Sequence, residues 1–516
     1  MVVGRIEPVF KPWEHAAKLM AYYKVYQMLF YNQKEPYNQN HKCVLFVIFA
    51  VHKIFEMALI KSISGIRGTI GGNTNDNLTP LDVVKFASAY GTWLQHAGKG
   101  KQKVVVGRDG RISGTIVKNL VNAALCSLGI DVIDLDLSTT PTVEMAVKLL
   151  KADGGIIITA SHNPKEWNAL KLLNREGEFI SGEEGKLILD IAQKESFIFS
   201  DVDNLGSVSP NTTFLETHIE HVVKNKWVDK KAIAGANFKV VVDAVNSTGA
   251  FAVPELLRAL GVKDVIVLNE EVTGKFAHNP EPLPENLKEL SREVTRQNAS
   301  IGIAVDPDVD RLCFVCEDGS MFGEEYTLVA VADYVLSKQP GNTVSNLSST
   351  RALKDITLKH GGEYFSSAVG EVNVVNKMKE VDAVIGGEGN GGIIVPDLHY
   401  GRDALIGIAL FLTHLAKSKK SVKQLRNTYP DYFISKNKLV LENNVNVGKV
   451  FDKIKDKYKN HPVNTEDGLK IEFDNDWVHL RTSNTEPIIR IYSESNFETT
   501  AANIAMRLMK DIKEAM

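Results

Sequence analysis

Gly154-Gly155-Ile156-Ile157-Ile158-Thr159-Ala160-Ser161-His162-Asn163-Pro164 is the stretch that decides the fold. Its apolar half reads as a buried strand, and its polar half as a loop that Pro164 keeps from continuing as helix. A doubly wound sheet places reactive groups at the carboxyl ends of its strands. Ser161 is therefore delivered at such an end, flanked by the imidazole of His162 and the amide of Asn163. A Ser-His pair alone means little, and its weight comes from three further polar loops later in the chain.

On both sides of this stretch the chain alternates strand and helix. Residues 104–106 read as a strand, followed by a Gly107-Arg108-Asp109-Gly110-Arg111 turn and a helical pattern to Leu128. Residues 131–137 read as strand and 142–151 as helix. A second unit opens at 239–243 and closes on the strand 301–305 and the loop Asp306-Pro307-Asp308-Val309-Asp310-Arg311. A third runs through helical 326–336 and closes on the strand 383–385 and the loop 386–392. Strand-like 439–441, 469–473, 478–480 and 488–492, with helices near 447–458 and 498–514, end the chain. The expected fold class is α/β: three tandem related α/β domains plus a C-terminal α+β domain around a central cleft. The expected domains are 57–206, 207–319, 320–425 and 426–516, with linkers at 207–211, 317–320 and 417–421.

Residues 1–56 read differently, holding eleven of the chain's 40 aromatic residues. The apolar run 43–51 is about half the length that spans a bilayer, and no small-residue cleavage site follows it. Met57 begins a sequence with the character of a domain start, so residues 1–56 are expected to be a non-native or mis-annotated extension.

Composition narrows the function classes. An apolar content of 44% and a charged content of 24% belong to an ordinary soluble protein, and a net charge of −3 gives no electrostatic case for nucleic acid or an anionic membrane. Four cysteines are too few for a disulfide framework, which fits a reducing cytosol and a cytoplasmic location. Cys313 and Cys316 lie on opposite faces of a strand, without a second pair to complete a zinc site, so they read as buried structural residues.

Asp306, Asp308 and Asp310 put three carboxylates within five residues. Alternate positions of an extended segment share a face, so the three can converge on one hard cation. An EF-hand is excluded because Arg311 stands where that loop needs glycine, and the flanks read as strands. Mg²⁺ bridging to a phosphate is the better reading.

Arg481-Thr482-Ser483-Asn484-Thr485-Glu486-Pro487, with Arg490 on the next strand, offers a guanidinium, hydroxyls and an amide for a phosphate. Standing alone it would read as a hairpin turn. The loop 386–392 carries Glu388 and Asn390 among glycines, suited to vicinal sugar hydroxyls, with a plain tight turn as the alternative. It is neither a Walker loop nor a dinucleotide fingerprint. Ser64-Gly65-Ile66-Arg67-Gly68 holds an arginine in a glycine-flexible loop. Lys171 faces the cleft if residues 167–173 return from the serine loop as a strand, and otherwise is a solvated lysine.

Together T-A-S-H-N-P, D-P-D-V-D-R, G-E-G-N-G-G and R-T-S-N-T-E-P, in that order from residue 57 to the end, resemble the α-D-phosphohexomutase superfamily. The resemblance implies that Ser161 is a phosphoserine, and that Asp306, Asp308 and Asp310 hold one Mg²⁺ with one of its phosphate oxygens. It implies that Arg67, Lys171 and Arg311 are the catalytic cations, with His162 beside the serine and Lys171 as general acid and base. Glu388 and Asn390 would meet the sugar, and Arg481, Ser483, Asn484, Thr485 and Arg490 the phosphate not being transferred. Gly107-Arg108-Asp109-Gly110-Arg111 and His278-Asn279-Pro280-Glu281-Pro282 resemble family segments outside the chemistry.

The implied reaction interconverts hexose 6-phosphate and hexose 1-phosphate through a 1,6-bisphosphate, which also serves as activator. The partner is a small phosphosugar, and no oligomeric state follows from the sequence. Many relatives end the sugar loop in Ser-Gly-His, where this chain has Asn390-Gly391-Gly392. That loop is most like the phosphoglucosamine mutase branch of bacteria and related archaeal-type mutases. Glucosamine phosphate is therefore expected ahead of mannose or glucose phosphate. The rival classes are a Mg²⁺-dependent phosphatase using Asp308 as nucleophile, and a sugar-phosphate-binding protein without catalysis. A hinge about residues 417–430 is expected to gate the cleft.

Overall fold

Three of the four sheets repeat one topology. The computed structural model describes residues 59–62, 65–98, 100–441, 445–482 and 488–516. The expected extension 1–56, Met57, Ser64 and the clamp residues Ser483, Asn484 and Thr485 lie outside these residues.

In the first sheet the strands run Trp167–Leu173, Gly154–Ile158, Lys103–Arg108, Asp131–Leu137, the last three parallel and the first antiparallel to its neighbour. The second repeats this as Leu312–Val315, Ile301–Val305, Lys239–Asp243, Asp264–Leu268. The third does so as Gly392–Ile394, Ala383–Glu388, Asn342–Asn346, Tyr364–Ser367. In each module the polar loop is the connection by which the third parallel strand turns back into an antiparallel strand. The three loops thus occupy one equivalent position, at the carboxyl edge where open α/β sheets bind ligands.

The first sheet is extended by Gly65–Thr69 and Ile60–Ser62 on one side and by Val208–Pro210 on the other. Residues 207–211, expected as a linker, therefore include an edge strand parallel to Asp131–Leu137. Residues 317–320 form a tight turn, closed by Cys316 N–H to Ser320 O at 2.8 Å. The last sheet is wholly antiparallel, in the order Phe433–Val440, Ile488–Ser495, Trp477–Thr482, Leu469–Glu472, Val463–Asn464.

Packing divides the chain unevenly. The second and third modules share one apolar core, joined through the helix Ala404–Ser418. Phe411 on that helix stacks on Phe314 of the second module at 3.8 Å between ring centroids. The helix can be apolar nearly all round because it is buried nearly all round. The fourth domain has a core of its own, centred on Ile471, Leu480, Ile491 and Leu508.

The segment expected as a hinge is packed. Val422, Leu425 and Tyr429 belong to the shared core, Ser421 and Lys423 bond Glu317, and Tyr429 Oη donates to Asp333 Oδ2 at 3.2 Å. Cys313 and Cys316 are buried, as expected of structural cysteines. Among the described residues no helix is long and apolar enough to cross a membrane.

Candidate active site

Ser161 sits directly beyond the buried strand Gly154–Ile158, at φ 47°, a left-handed conformation that costs a non-glycine residue roughly 1–2 kcal/mol. A cage of hydrogen bonds holds it there. Its N–H donates to Thr159 Oγ1 at 2.9 Å, and Thr159 Oγ1 donates to Asp109 Oδ2 at 2.7 Å. Arg111, only 1% exposed, donates to the carbonyl oxygens of Ser161, Asn163, Pro164 and Trp167 at 2.6–2.8 Å, and its Nε to Asp109 Oδ2 at 3.0 Å. One guanidinium thereby fixes the backbone of the whole loop. Of the Gly107–Arg111 segment, Gly107 and Arg108 end a strand, and Asp109 and Arg111 beyond it brace the serine loop.

The Ser161 hydroxyl donates to Asp306 Oδ2 at 2.7 Å, across 145 residues of sequence. Asp306, Asp308 and Asp310 are fully buried, with one oxygen from each lying within 4.8 Å of the others. The segment that carries them is a turn and not the extended run expected. Val309 N–H bonds Asp306 O at 3.1 Å, and Val309 takes φ 61°, strained for a β-branched residue. The turn folds the carboxylates inward, and Asp306 Oδ1 accepts from Asp310 N and Arg311 N at 3.2 and 3.1 Å.

The charges in this turn are unbalanced. Burial, reinforced by Asp308 and Asp310, drives the Asp306 carboxyl well above its usual range. Asp310 is held below that range, because Arg402, Lys171 and Arg311 outweigh its burial. Asp308 Oδ1 and Asp310 Oδ1 are buried without a hydrogen bond among the described residues. An all-oxygen set with two orphaned acceptors fits a hard divalent cation.

Around this centre stand the expected cations. Lys171 lies on the strand Trp167–Leu173, antiparallel to the serine strand, and so faces the cleft. Its Nζ donates to Asp308 Oδ2 at 2.7 Å and to Asp310 Oδ2 at 3.3 Å. Burial works against its charge, and those two carboxylates outweigh it, raising its pKa. Thr140 Oγ1 also donates to Asp308 Oδ2, at 2.6 Å.

Arg67 is on the strand Gly65–Thr69, not in a loop, and donates to Asn163 Oδ1 at 2.9 Å. Burial and the nearby Arg311 lower its pKa. Arg311 bonds Glu281 Oε1 at 3.0 Å, so the His278–Pro282 segment supports an active-site cation. His162 is driven well below its usual range by burial, Arg311 and Arg67, and its buried Nδ1 has no partner among the described residues. Cations that repel one another beside an orphaned ring nitrogen describe a pocket shaped for an anion.

Glu388 ends the strand Ala383–Glu388, and Gly392 begins the strand paired with it. The expected loop 386–392 therefore shrinks to a turn at 389–391. Gly391 makes that turn at φ 85°, where an added Cβ would fall 2.0 Å from Leu312 O. Glu388 is already heavily bonded: Oε1 accepts from Asn346 Nδ2 and Gly370 N at 2.8 and 3.1 Å, and Oε2 from Arg402 Nη1 at 2.6 Å. Asn390 is half-buried beside it, its Oδ1 accepting from Gly392 N at 3.1 Å.

Arg402 was not singled out by sequence. Its Nη2 donates to Asp310 Oδ2 at 2.6 Å, its Nη1 to Glu388 Oε2 and its Nε lies 3.0 Å from Glu371 Oε2, so it joins the Asp306–Asp310 turn to the strand that ends in Glu388. The available signal was the phrase Gly-Arg-Asp, which occurs at 107–109 and again at 401–403.

On the fourth domain Arg481 and Arg490 are cross-strand neighbours, and Arg481 Nε is 2.8 Å from Asp467 Oδ2. No hydrogen bond or ion pair joins either arginine to the serine or metal turns among the described residues. The domain docks on the third module through polar contacts. Lys470 Nζ donates to Leu347 O at 2.9 Å, His479 Nδ1 meets Ser348 Oγ at 2.8 Å, and Val369 N–H donates to Asp467 Oδ2 at 3.0 Å.

The sequence matches phosphoglucomutase/phosphomannomutase alpha/beta/alpha domain I over residues 59–199, domain II over 216–319, domain III over 323–432 and the C-terminal domain over 439–511. A phosphoglucomutase/phosphomannomutase of Thermococcus kodakarensis is 37% identical over 455 residues, spanning 87% of this chain and 98% of that protein. A probable phosphoglucosamine mutase of Methanopyrus kandleri is 32% identical over 463 residues, spanning 87% and 98%. Among solved structures, a phosphoglucomutase/phosphomannomutase family protein from Burkholderia thailandensis superposes with a TM-score of 0.77 at 28% identity, covering 89% of this chain and 98% of that one.

Proposed function

The chain belongs to the phosphoglucomutase/phosphomannomutase family and is a phosphohexomutase, and we propose that it interconverts glucosamine 6-phosphate and glucosamine 1-phosphate. Ser161 carries the phosphoryl group between turnovers and passes it to the sugar, giving a hexose 1,6-bisphosphate. The bisphosphate turns over in the cleft and returns its other phosphoryl group to Ser161. The observation that carries this reading is the Ser161 hydroxyl 2.7 Å from Asp306, inside the buried Asp306–Asp308–Asp310 set.

Each residue has a physical task. Asp306, Asp308 and Asp310 would hold the family's Mg²⁺ with a Ser161 phosphoryl oxygen, where it would balance charge on the group in transit. Arg67 and Arg311 receive phosphoryl oxygens, and their mutual repulsion eases when that anion arrives. His162, uncharged, offers a ring N–H to the same group. Lys171 is the general acid and base, releasing its proton to the departing oxygen and recovering one from the attacking hydroxyl. Glu388, oriented by Arg402, and Asn390 meet the sugar hydroxyls. Arg481, Arg490 and the 483–485 segment hold the distal phosphate, with which a sugar can sit in either orientation.

The amino sugar is favoured by the Asn390-Gly391-Gly392 turn and by the names of two relatives. One is the Methanopyrus kandleri protein, and the other is a phosphoglucosamine/phosphogalactosamine mutase of Sulfurisphaera tokodaii, 32% identical over 456 residues. Glucose or mannose phosphate is the second reading, favoured by the name of the 37% identical Thermococcus protein.

A coupled assay of the full chain with Mg²⁺ and bisphosphate activator, run on glucosamine 6-phosphate, mannose 1-phosphate and glucose 1-phosphate, decides between them. The highest kcat/KM is expected for the amino sugar, and a higher value for either neutral sugar replaces the first reading with the second. Phosphopeptide mapping that finds the phosphoryl group on Asp308 and none on Ser161 would replace the mutase mechanism by a phosphatase one.

A further inference from the structure

Behind the metal turn a second polar cluster is buried where three parts of the chain meet. His218 comes from the helix Phe214–Lys224, Asp403 is the N-cap of the helix Ala404–Ser418, and His399 precedes it by one helical turn's spacing. All three are buried. One ligand atom from each lies within 4.8 Å of the others, and His218 Nε2 at 2.9 Å and His399 Nε2 at 3.3 Å share the same Asp403 Oδ2. Ligand atoms on a tetrahedral Zn²⁺ with bonds near 2.0–2.1 Å stand about 3.3–3.4 Å apart. Asp403 Oδ1 is occupied in capping, accepting from Leu405 N and Ile406 N at 2.8 and 3.4 Å, which leaves Oδ2 to the cluster.

The atoms behind the rings favour a metal over hydrogen bonds alone. His218 Nδ1 is 2.9 Å from Thr142 Oγ1, and His399 Nδ1 is 3.5 Å from Glu144 Oε2. Glu144 is buried, yet neither of its oxygens makes a hydrogen bond among the described residues. Both Nε2 atoms crowd one carboxylate oxygen, Asp403 Oδ2, while both oxygens of Glu144 stand unpartnered beside His399 Nδ1. With a cation on the Nε2 side, the proton moves to Nδ1 and Glu144 accepts it, which is the carboxylate–histidine–metal arrangement. Gly401 keeps this corner open, since a Cβ there would lie 1.9 Å from Glu144 Oε2.

The geometry points to a second metal site, distinct from the Asp306–Asp308–Asp310 set: His218, His399 and Asp403 bind one Zn²⁺, with Glu144 and Thr142 orienting the imidazoles. Imidazole nitrogens and one carboxylate suit zinc, whereas Mg²⁺ prefers an all-oxygen set. The ion is structural. It ties the second module, through His218, to the third, through His399 and Asp403, and fixes Asp403, whose chain neighbour Arg402 is bonded to Asp310.

The test measures zinc in the full chain, purified with added Zn²⁺ and dialysed against millimolar Mg²⁺ to displace zinc from oxygen sites. Retention of one zinc per chain is expected in the wild type and in Asp308→Asn. His399→Gln should lose it, and Glu144→Gln should bind it about 10–100-fold more weakly. Added Zn²⁺ should raise the melting temperature of the wild type and not that of His399→Gln. If His399→Gln does not fold, Glu144→Gln and Asp308→Asn still decide the matter. A wild type without zinc, a loss of zinc in Asp308→Asn, or undiminished affinity in Glu144→Gln overturns the site and leaves a hydrogen-bonded His-Asp-His cluster. Mutase activity is not the readout, so the result stands apart from the proposed reaction.

Discussion

Arg402 and Asp310 are joined by a 2.6 Å contact between Nη2 and Oδ2, and the same guanidinium reaches Glu388 Oε2 at 2.6 Å through Nη1. A cation from the third module therefore sets the positions of Asp310 in the second module and Glu388 in the third together. Arg402→Gln strands Asp310, Glu388 and Glu371 in a buried pocket without their shared partner. Breaking a buried ion pair by removing one member costs about 3–5 kcal/mol. Denaturant unfolding should show a loss of that order, with kcat/KM reduced at least as strongly. Arg402→Lys keeps the charge but not the planar fork, and should recover only part of either.

Lys171→Met should lower kcat by about 10²–10⁴-fold with little change in KM, the usual range for removing a general acid and base. Steady-state kinetics on the preferred sugar check this. A variant that lost only KM would make Lys171 a binding residue.

Arg111→Lys removes most of the bonds to the carbonyls of residues 161, 163, 164 and 167. An ammonium group has three donors against five, so at least two of the five acceptors, the four carbonyls and Asp109 Oδ2, are left bare at about 1–3 kcal/mol each. Hydrogen exchange of the amides in 159–170 should accelerate while the fourth domain's amides stay protected.

Acid should loosen the fourth domain first. His479 is buried in the contact with Ser348 and Asp467, and burial lowers its pKa from 6.5 to about 4. The unfolded chain takes up the proton near pH 6.5 and the folded chain only near 4. Stability is therefore fully present above pH 6.5 and is lost as pH falls toward 4, by about 3 kcal/mol at most. Thermal melts of the wild type between pH 7 and 4 should show this slope, and His479→Gln should flatten it.

Chelation by EDTA should abolish turnover, and added Mg²⁺ should restore it in the wild type. In Asp308→Asn the same addition should not, because one of three converging carboxylates is gone. Full Mg²⁺ rescue of that variant would move the metal elsewhere.

The repeated modules were legible in the sequence because each rests on local pattern. A short apolar run such as 154–158, 301–305 or 383–385 followed by a polar loop needs no distant partner to be read. Lys171 was legible in part, since strand periodicity alone turned it toward the cleft. The edge strand within 207–211 was not legible because its residues have the composition of a linker. They become a strand only through the free edge of Asp131–Leu137. The metal turn was misread for a related reason: Val309 at φ 61° is a conformation that no propensity assigns to valine, and the caging around it enforces it. Arg402 and Arg111 looked like any arginine, since nothing in a linear sequence distinguishes a solvated guanidinium from a buried one.

Sequence by itself determined the fold class and the reaction, because both depend on short contiguous motifs whose donor and acceptor types fix the chemistry. Tertiary structure decided which charges meet. Ser161 and Asp306 stand 145 residues apart, and Arg402 and Asp310 stand 92 apart, yet each pair is in hydrogen-bond contact. Such contacts exist only after burial has removed the water that would otherwise screen them, so their strength and specificity belong to the folded chain.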